Sequence, residues 1–222
     1  MTRAEVWLGT TLAVLVFLPR AGSHPPSSEP GPARSLAQRY NRARTLQARF
    51  VQRYTFGRTT RIESGSVYFQ KPARMRWEYD PPDAKVFLSD GRDVYLYVPG
   101  ERQVSRRPVR ESADWRTPFG LLLGRVDFKK LFSRVETKTT HRPAQPPLTQ
   151  LRGLPRSPRQ GFTEVWIDLN PKGQLERIEI RQPDGALMEF HFRDWRENQP
   201  LPPDLFRLRV PRGTVWLDMP PA

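Results

Sequence analysis

The sequence predicts a mainly β fold with a few short helices, built on one long antiparallel sheet that curls. Three observations lead to this prediction. Apolar residues recur at every second position through residues 65–98. Tight-turn signals such as Asp90-Gly91 and Asp184-Gly185 separate about ten strand-like runs. Almost no connection has the length of a parallel crossover, and an antiparallel sheet of this size twists enough to curl.

The first 34 positions are predicted to lie outside the folded domain. Arg3, the apolar run 6–18 and the small residues 21–23 follow the pattern of a secretory signal, so we expect residues 1–23 to be a cleaved signal peptide. A retained membrane anchor is the alternative, but the run falls short of the roughly 20 residues that span a bilayer. Residues 24–34 are Pro-rich and predict a disordered leader. Residues 35–222 are predicted to form a single domain.

The elements of that domain follow from its periodicity. Ser35 and Gln38 resemble a capping box and predict a short helix to about residue 44. Period-two alternation then predicts a long strand over 46–56, four strands within 65–98 and a polar strand over 101–105. Helical spacing predicts two short helices over 118–123 and 128–135, and residues 141–160 are expected to be a strand fragment and an exposed basic loop. Strands are predicted over 163–169, 175–181, 186–195 and 205–210.

The chain is strongly basic, with 37 Lys and Arg residues against 23 acidic ones, and 31 of the basic residues are Arg. The net charge of +14 is compatible with attraction to an anionic surface, and equally with a compositional bias spread over solvated faces. The predicted export signal disfavours nucleic acid as a partner. The absence of cysteine excludes a disulfide framework and a lipid-anchoring thiol.

No motif in the sequence predicts catalysis. The three histidines, His24, His141 and His191, are isolated from one another, and no nucleophile elbow, phosphate loop or zinc motif occurs. Four aspartates could suggest a calcium site, but turns favour Asp beside Pro or Gly, so the turn interpretation is preferred. They are Asp80, Asp83, Asp90 and Asp93. We therefore expect no catalytic residues, no metal and no cofactor.

Several pieces of the sequence, in this order, resemble the periplasmic outer-membrane lipoprotein carrier (LolA-like) family. They are Phe50 and Gln52, Gly65 with Lys71-Pro72, Met75 and Trp77, LSDGRDVYLY over 88–97, TPFGLLLG over 117–124, and DLFRLRVPRGTVW over 204–216. The resemblance covers about residues 35–218. It implies an incomplete β-barrel whose concave side is covered by short α-helices. Periodicity alone does not distinguish this fold from a flat sandwich.

The resemblance also implies a site. An acyl-chain cavity would be lined by Phe50, Phe69, Met75, Trp77, Tyr79, Leu88 and Leu96. A lid and latch would be formed by Lys71, Pro118, Phe119, Leu121 and Leu122. The family usually has Arg where this chain has Lys71, and lysine lacks the planar guanidinium, so we expect a weaker or differently aimed latch. Read from the pattern alone, the same apolar face is an ordinary packed core.

The function implied by the resemblance is that of a periplasmic chaperone in a Gram-negative-type bacterium, monomeric and without catalysis. It would take acylated lipoproteins from an inner-membrane lipoprotein-releasing ABC transporter to an outer-membrane acceptor, such as a LolB-like protein. The alternative is a non-catalytic scaffold or binding module for anionic lipid or polysaccharide, which would use an Arg-rich surface and the loop 152–159.

Overall fold

The computed structural model describes residues 31–109, 127–142 and 145–218, which form one open, curled sheet of twelve strands and two helices. The helices are α1 (Pro32–Arg42) and α2 (Phe128–Leu131). The strands are β1 (Thr45–Phe56), β2 (Thr59–Gln70), β3 (Arg74–Tyr79), β4 (Val86–Asp90), β5 (Asp93–Val98), β6 (Gln103–Pro108), β7 (Phe132–Arg142), β8 (Gln145–Pro155), β9 (Glu164–Leu169), β10 (Leu175–Arg181), β11 (Leu187–Glu197) and β12 (Val215–Asp218).

The strand order confirms the predicted fold class. It runs β12-β6-β5-β4-β3-β2-β1-β11-β10-β9-β8-β7, and every neighbouring pair is antiparallel except β12 with β6. In the described part of the chain, the sheet ends at β12 and β7, which do not pair with each other, so these strands do not close a barrel. Among the described residues, no helix is long and apolar enough to cross a membrane.

The Asp90-Gly91 turn forms as its sequence predicts. Gly91 has φ +98°, a conformation that side-chain-bearing residues rarely adopt. Asp90 Oδ1 accepts hydrogen bonds from the backbone N–H groups of Arg92 (2.7 Å) and Asp93 (2.8 Å). The turn therefore fixes the register between β4 and β5.

Several elements differ from the prediction. Helix α1 begins at Pro32, within the segment predicted as a disordered leader, because proline suits the first turn of a helix. Helix α2 ends at Leu131, and the Val- and Thr-rich residues that follow extend as β7, which pairs with β8 where a loop was predicted. Residues 205–210 form no strand, and β12 takes the last place in the sheet instead. Residues 1–30 lie outside the described part.

The concave face of the sheet is apolar. Residues directly opposite each other in neighbouring antiparallel strands share a face, and Leu46, Phe69 and Met75 stand opposite one another across β1, β2 and β3. All three are at most 1% exposed. Strands β8 to β11 extend this face with Leu151, Val165, Ile167, Ile178, Phe190 and Phe192. Helix α1 packs on it through Leu36 and Tyr40.

The convex face carries ion pairs. Arg177 bonds to Asp168 (2.8 Å), to Glu189 (3.1 Å) and to Glu179. Arg152 pairs with Glu164 in the same way on the neighbouring strands. Burial alone would raise the pKa of Glu164, but the Trp166 indole and Arg152 outweigh it and lower that pKa. The positive charge of these strands is therefore largely balanced where the structure describes it.

Asp80 fixes the connection after β3 to the convex face. Its carboxylate accepts hydrogen bonds from Arg49 and from Ser64 Oγ (2.7 Å). The bond from Arg49, followed by that from Ser64, lowers the pKa of Asp80. Arg49 lies on β1 and Ser64 on β2, so one carboxylate ties two strands to the chain that leaves β3.

A substitution at Gly65 should destabilise the sheet. In Gly65→Ala the new Cβ would lie 2.8 Å from the Phe50 ring and would collide with the carbonyl oxygen of Glu78. We expect the free energy of unfolding, measured by urea denaturation, to fall by about 1–3 kcal/mol. Gly100→Ala, which meets nothing within 4 Å, should change it by less than about 0.5 kcal/mol. Equal effects would contradict this account of the packing.

The Asp80 contacts predict an acid-dependent loss of stability. The pKa of this carboxyl is lower in the folded chain than in the unfolded one, so its stabilisation is complete above about pH 4 and is lost as the pH falls further. Asp80→Asn should lower the free energy of unfolding at pH 7 and flatten its decline between about pH 5 and pH 2.

Arg49→Gln removes the largest cause of the pKa shift from the other side and serves as the matched control. It should flatten the same decline, and the double variant should add little because both changes break one contact. Fully additive effects would show that the two side chains act separately.

Candidate functional site

An aromatic cluster centred on Trp77 occupies the concave face. The Trp77 ring lies 4.7 Å from Phe50, 6.1 Å from Phe69, 5.4 Å from Phe190 and 6.2 Å from Phe192, measured between ring centroids. Each of these contacts is edge-to-face, the arrangement in which aromatic rings attract one another. Trp77 is only 3% exposed. The cluster links β3 to β1, β2 and β11 in a single apolar surface.

Most of the predicted lining residues share this face. Phe50, Phe69, Met75 and Trp77 are buried together in its centre. Tyr79 is half-buried at its border, where its hydroxyl donates to Gln52 Oε1 (2.6 Å) and the Lys85 ammonium lies 4.3 Å from the centre of its ring. Leu96 is half-buried and reaches the same face, because it stands opposite Phe87, which stands opposite Trp77.

Leu88 lies on the other face, and this corrects the predicted lining at one position. It stands opposite Arg76 on β3 and Tyr95 on β5, whereas its neighbour Phe87 points to the concave side. Residues near Leu205 cross the convex face here, since Arg76 Nη1 donates to the Leu205 carbonyl (3.1 Å). Leu88 is therefore fully buried outside the predicted cavity.

Lys71 contacts helix α1. Its ammonium donates a hydrogen bond to the carbonyl oxygen of Tyr40, in the last turn of the helix, where carbonyl groups lack partners within the helix. A cation at a helix C-terminus also interacts favourably with the helix dipole. Burial lowers the pKa of Lys71. The residues expected to form the lid, Pro118, Phe119, Leu121 and Leu122, lie outside the described residues. Among the described residues, the Lys71 ammonium contacts α1.

Two further contacts fasten the C-terminal half of α1. The Tyr40 hydroxyl accepts a hydrogen bond from the backbone N–H of Leu175 (3.0 Å), and burial raises the pKa of this phenol. Arg39 Nε donates to Glu197 on β11 (2.8 Å). With Lys71, these bonds tie the helix to the β2–β3 turn, β10 and β11, and Arg39 Nη1 also donates to the Lys172 carbonyl (3.0 Å) in the β9–β10 turn.

The N-terminal half of α1 borders an open groove. The groove measures about 420 Å³ and lies between α1, α2 and the start of β7. Ala33, Ala37, Phe128, Phe132 and Val135 form its apolar lining. Ala33, Ala37, Phe128 and Val135 are partly buried and pack against the core, so the groove leads from solvent to the edge of the covered face.

Sequence reasoning missed two of the five residues in the Trp77 cluster. Phe190 and Phe192 alternate along β11 and could have been assigned to the face by the same period of two. The helical spacing of Leu36 and Tyr40 predicts a helix that covers one face of the sheet, but it does not give the docking position of that helix. Phe87 gave no signal, because a single strand phenylalanine is compatible with either face. The placement of Tyr40 and Phe87 depends on how α1 docks and on the register of β3 with β4.

The four candidate calcium ligands have protein partners. Asp80, Asp83 and Asp93 each pair with an arginine, and Asp90 caps its own turn. Within the described ranges, no group of three His, Cys, Asp or Glu side chains is placed to hold a metal ion.

The fold and the site define a class: an open antiparallel half-barrel whose apolar concave face lies under a helix. Comparison with known proteins gives the family. The family model of the outer membrane lipoprotein carrier protein LolA matches residues 41–209. The chain therefore belongs to the LolA family.

Individual relatives agree at modest identity. The outer-membrane lipoprotein carrier protein of Bordetella avium is 32% identical over 164 residues, which cover 73% of this chain and 75% of the relative. That of Nitrosospira multiformis is 27% identical over 181 residues, 81% of this chain and 84% of the relative. A crystal structure of an uncharacterized conserved protein from Thermus thermophilus has a TM-score of 0.54 at 13% identity, covering 84% of this chain and 99% of that one, which supports the fold.

Trp77 should carry much of the stability of the concave face. Trp77→Ala removes a buried ring with four aromatic neighbours, so we expect the free energy of unfolding to fall by about 3–5 kcal/mol in urea denaturation. Trp216→Ala makes the same change at a residue that is 51% exposed, and should cost about 1 kcal/mol or less. A cost at Trp77 no larger than at Trp216 would mean that the cluster is loosely packed.

Proposed function

We propose that this protein is a lipoprotein carrier that shelters acyl chains between the concave face of its sheet and the helix that covers it. Membership of the LolA family supports the carrier role. The observation that supports the site is the Trp77 cluster, a continuous apolar surface under a cover held by a few polar contacts. The proposal includes transfer in the periplasm, from an inner-membrane lipoprotein-releasing ABC transporter to an outer-membrane acceptor such as a LolB-like protein.

The hydrophobic effect supplies the affinity. Each methylene that leaves water contributes about 0.8 kcal/mol, so several long chains need a large dry surface. The aromatic cluster offers rings rather than hydrogen-bonding groups, and Met75 adds a flexible thioether that adapts to irregular apolar shapes.

The cover makes the binding reversible. In the structure, α1 and the protein's own side chains bury the concave face, and Phe50, Phe69 and Met75 are at most 1% exposed. Cargo must therefore displace these contacts, and their re-formation offsets part of the affinity when cargo leaves. The polar contacts of α1 at Lys71, Tyr40 and Arg39 are few enough to break and re-form.

Two arginines of the segment expected to bind an anionic polymer are already bonded within the protein, which favours the carrier proposal. Arg152, expected in an exposed basic loop, lies in β8 and pairs with Glu164 and Glu136. Arg156 donates through Nε to the Lys129 carbonyl (2.6 Å). Side chains that are already bonded attract a distant polyanion less, because neighbouring carboxylates cancel their charge.

The carrier role is tested by isolating the protein with its natural load. The full chain, expressed with its own N-terminal segment in a Gram-negative host, is recovered from the periplasm and analysed by native mass spectrometry. We expect bound triacylated peptides. A protein free of acylated ligand that binds anionic polysaccharide in a salt-sensitive way would instead favour the scaffold function.

Lys71 should control how readily cargo is released. Lys71→Leu removes the donor to Tyr40 and the cation at the end of α1, so the closed state loses about 1 kcal/mol and cargo is held about fivefold more tightly. The measurement is transfer of a fluorescent triacylated lipopeptide from the protein to lipid vesicles, which should slow.

Lys71→Arg keeps a cationic donor at the same position and is the matched control. Because a guanidinium offers more donors than an ammonium, this variant should transfer at the original rate or faster. Urea denaturation of each variant shows whether the domain stays folded. Equal transfer by Lys71→Leu and the unaltered protein would exclude the latch and leave the carrier role standing.

A further inference from the structure

One row of the concave face ends in a charged residue. Directly opposed residues run from Leu46 through Phe69, Met75, Ser89 and Val94, one on each strand, as the register between neighbouring strands gives. The next residue of the row, opposite Val94 on β6, is Arg107. The first five are at most 2% exposed, and Ser89 satisfies its hydroxyl by donating to the Ala73 carbonyl (2.9 Å). An apolar row thus leads to a guanidinium.

One nitrogen of the partly buried Arg107 guanidinium lacks a partner. Its Nε is buried and has no hydrogen-bond partner, and the described residues offer the side chain no ion pair. A buried N–H group of a cationic side chain costs free energy when it has no acceptor, because water no longer solvates it. The neighbouring residue Arg106 faces the convex side and pairs with Asp93 (2.8 Å), so the lack of a partner is specific to the inward-facing residue.

We propose that Arg107 binds the oxygen-rich head group of the acylated cargo while the acyl chains lie along the apolar row that leads to it. This inference rests on the proposed carrier function and adds to it the polar end of the site. A guanidinium presents several donors in one plane and matches ester, amide, carboxylate or phosphate oxygens attached to acyl chains. The half-buried Ser105, opposite Leu96 in the adjacent row of the same face, offers one more donor next to it.

Two sources could supply this chemistry: the diacylglyceryl cysteine of a lipoprotein, or a phospholipid with an anionic head. A cationic amphiphile serves as the negative control, because it has a long alkyl chain but no oxygen atoms that could accept a hydrogen bond from Arg107. The test measures dissociation constants of the full chain for a synthetic triacylated lipopeptide, for lysophosphatidylglycerol and for hexadecyltrimethylammonium, each below its micelle concentration. The variants are Arg107→Gln and Arg107→Lys, and the control is Arg106→Gln, which makes the same change of charge one residue away on the opposite face.

We expect Arg107→Gln to weaken lipopeptide binding about tenfold or more, to leave the cationic amphiphile unchanged, and to be partly rescued by Arg107→Lys. Arg106→Gln should bind all three probes as the unaltered protein does. Loss confined to lysophosphatidylglycerol would support the site and assign it to a phospholipid head group. Loss for both oxygen-bearing probes would assign it to both sources.

Unchanged lipopeptide and lysophospholipid affinities in Arg107→Gln would overturn the inference and leave the carrier function intact. Failure of the unaltered protein to bind any acylated probe would overturn both. Because Arg107→Gln could unfold the edge of the sheet, the Arg107 Nε–H resonance of the unaltered protein provides a second measurement, with Arg107→Lys for its assignment. It should shift on addition of lipopeptide, and a resonance that stays in place at saturation would refute the contact.

Discussion

An apolar sheet face that must stay out of water while its barrel remains open is the constraint on which this structure depends. A closed barrel buries its interior by closure alone. Here the sheet ends at β12 and β7, so the concave face needs a separate cover, and α1 supplies part of it. The rings of the Trp77 cluster pack against one another under this cover, and the contacts of Lys71 and Tyr40 hold the helix in place.

The two faces of the sheet carry different kinds of side chain. The concave face collects aromatic and aliphatic side chains, and the convex face holds ion pairs such as Arg177 with Asp168 and Arg152 with Glu164. These exposed or half-exposed pairs add little stability individually, but they balance the charge locally on the strands that carry them. The apolar face is then the surface best suited to a ligand, and Arg107 stands out because it breaks this division.

In the proposed carrier, the cover lets one surface serve both stability and cargo binding. A face packed as tightly as an ordinary core would hold no cargo, and a face left open would aggregate. A helix that is held by polar contacts gives an intermediate case. Displacing it costs a limited free energy, and the same free energy is regained when the helix covers the face again. Lysine rather than arginine at position 71 fits this balance, since one ammonium reaches one carbonyl of α1.

The local features of this protein were determined by its sequence. Alternation placed Phe50, Phe69, Met75, Trp77 and Tyr79 on one face, and Asp90-Gly91 made its turn, because both signals act over a few residues. The relative phase of neighbouring strands was decided only by tertiary structure, since alternation within β4 is equally consistent with either face pointing inward. The register with β3 turned Phe87 in and Leu88 out, and it brought Arg107 to the end of an apolar row. The docking of α1 onto Lys71 likewise joins residues far apart in the chain, for which no local pattern exists.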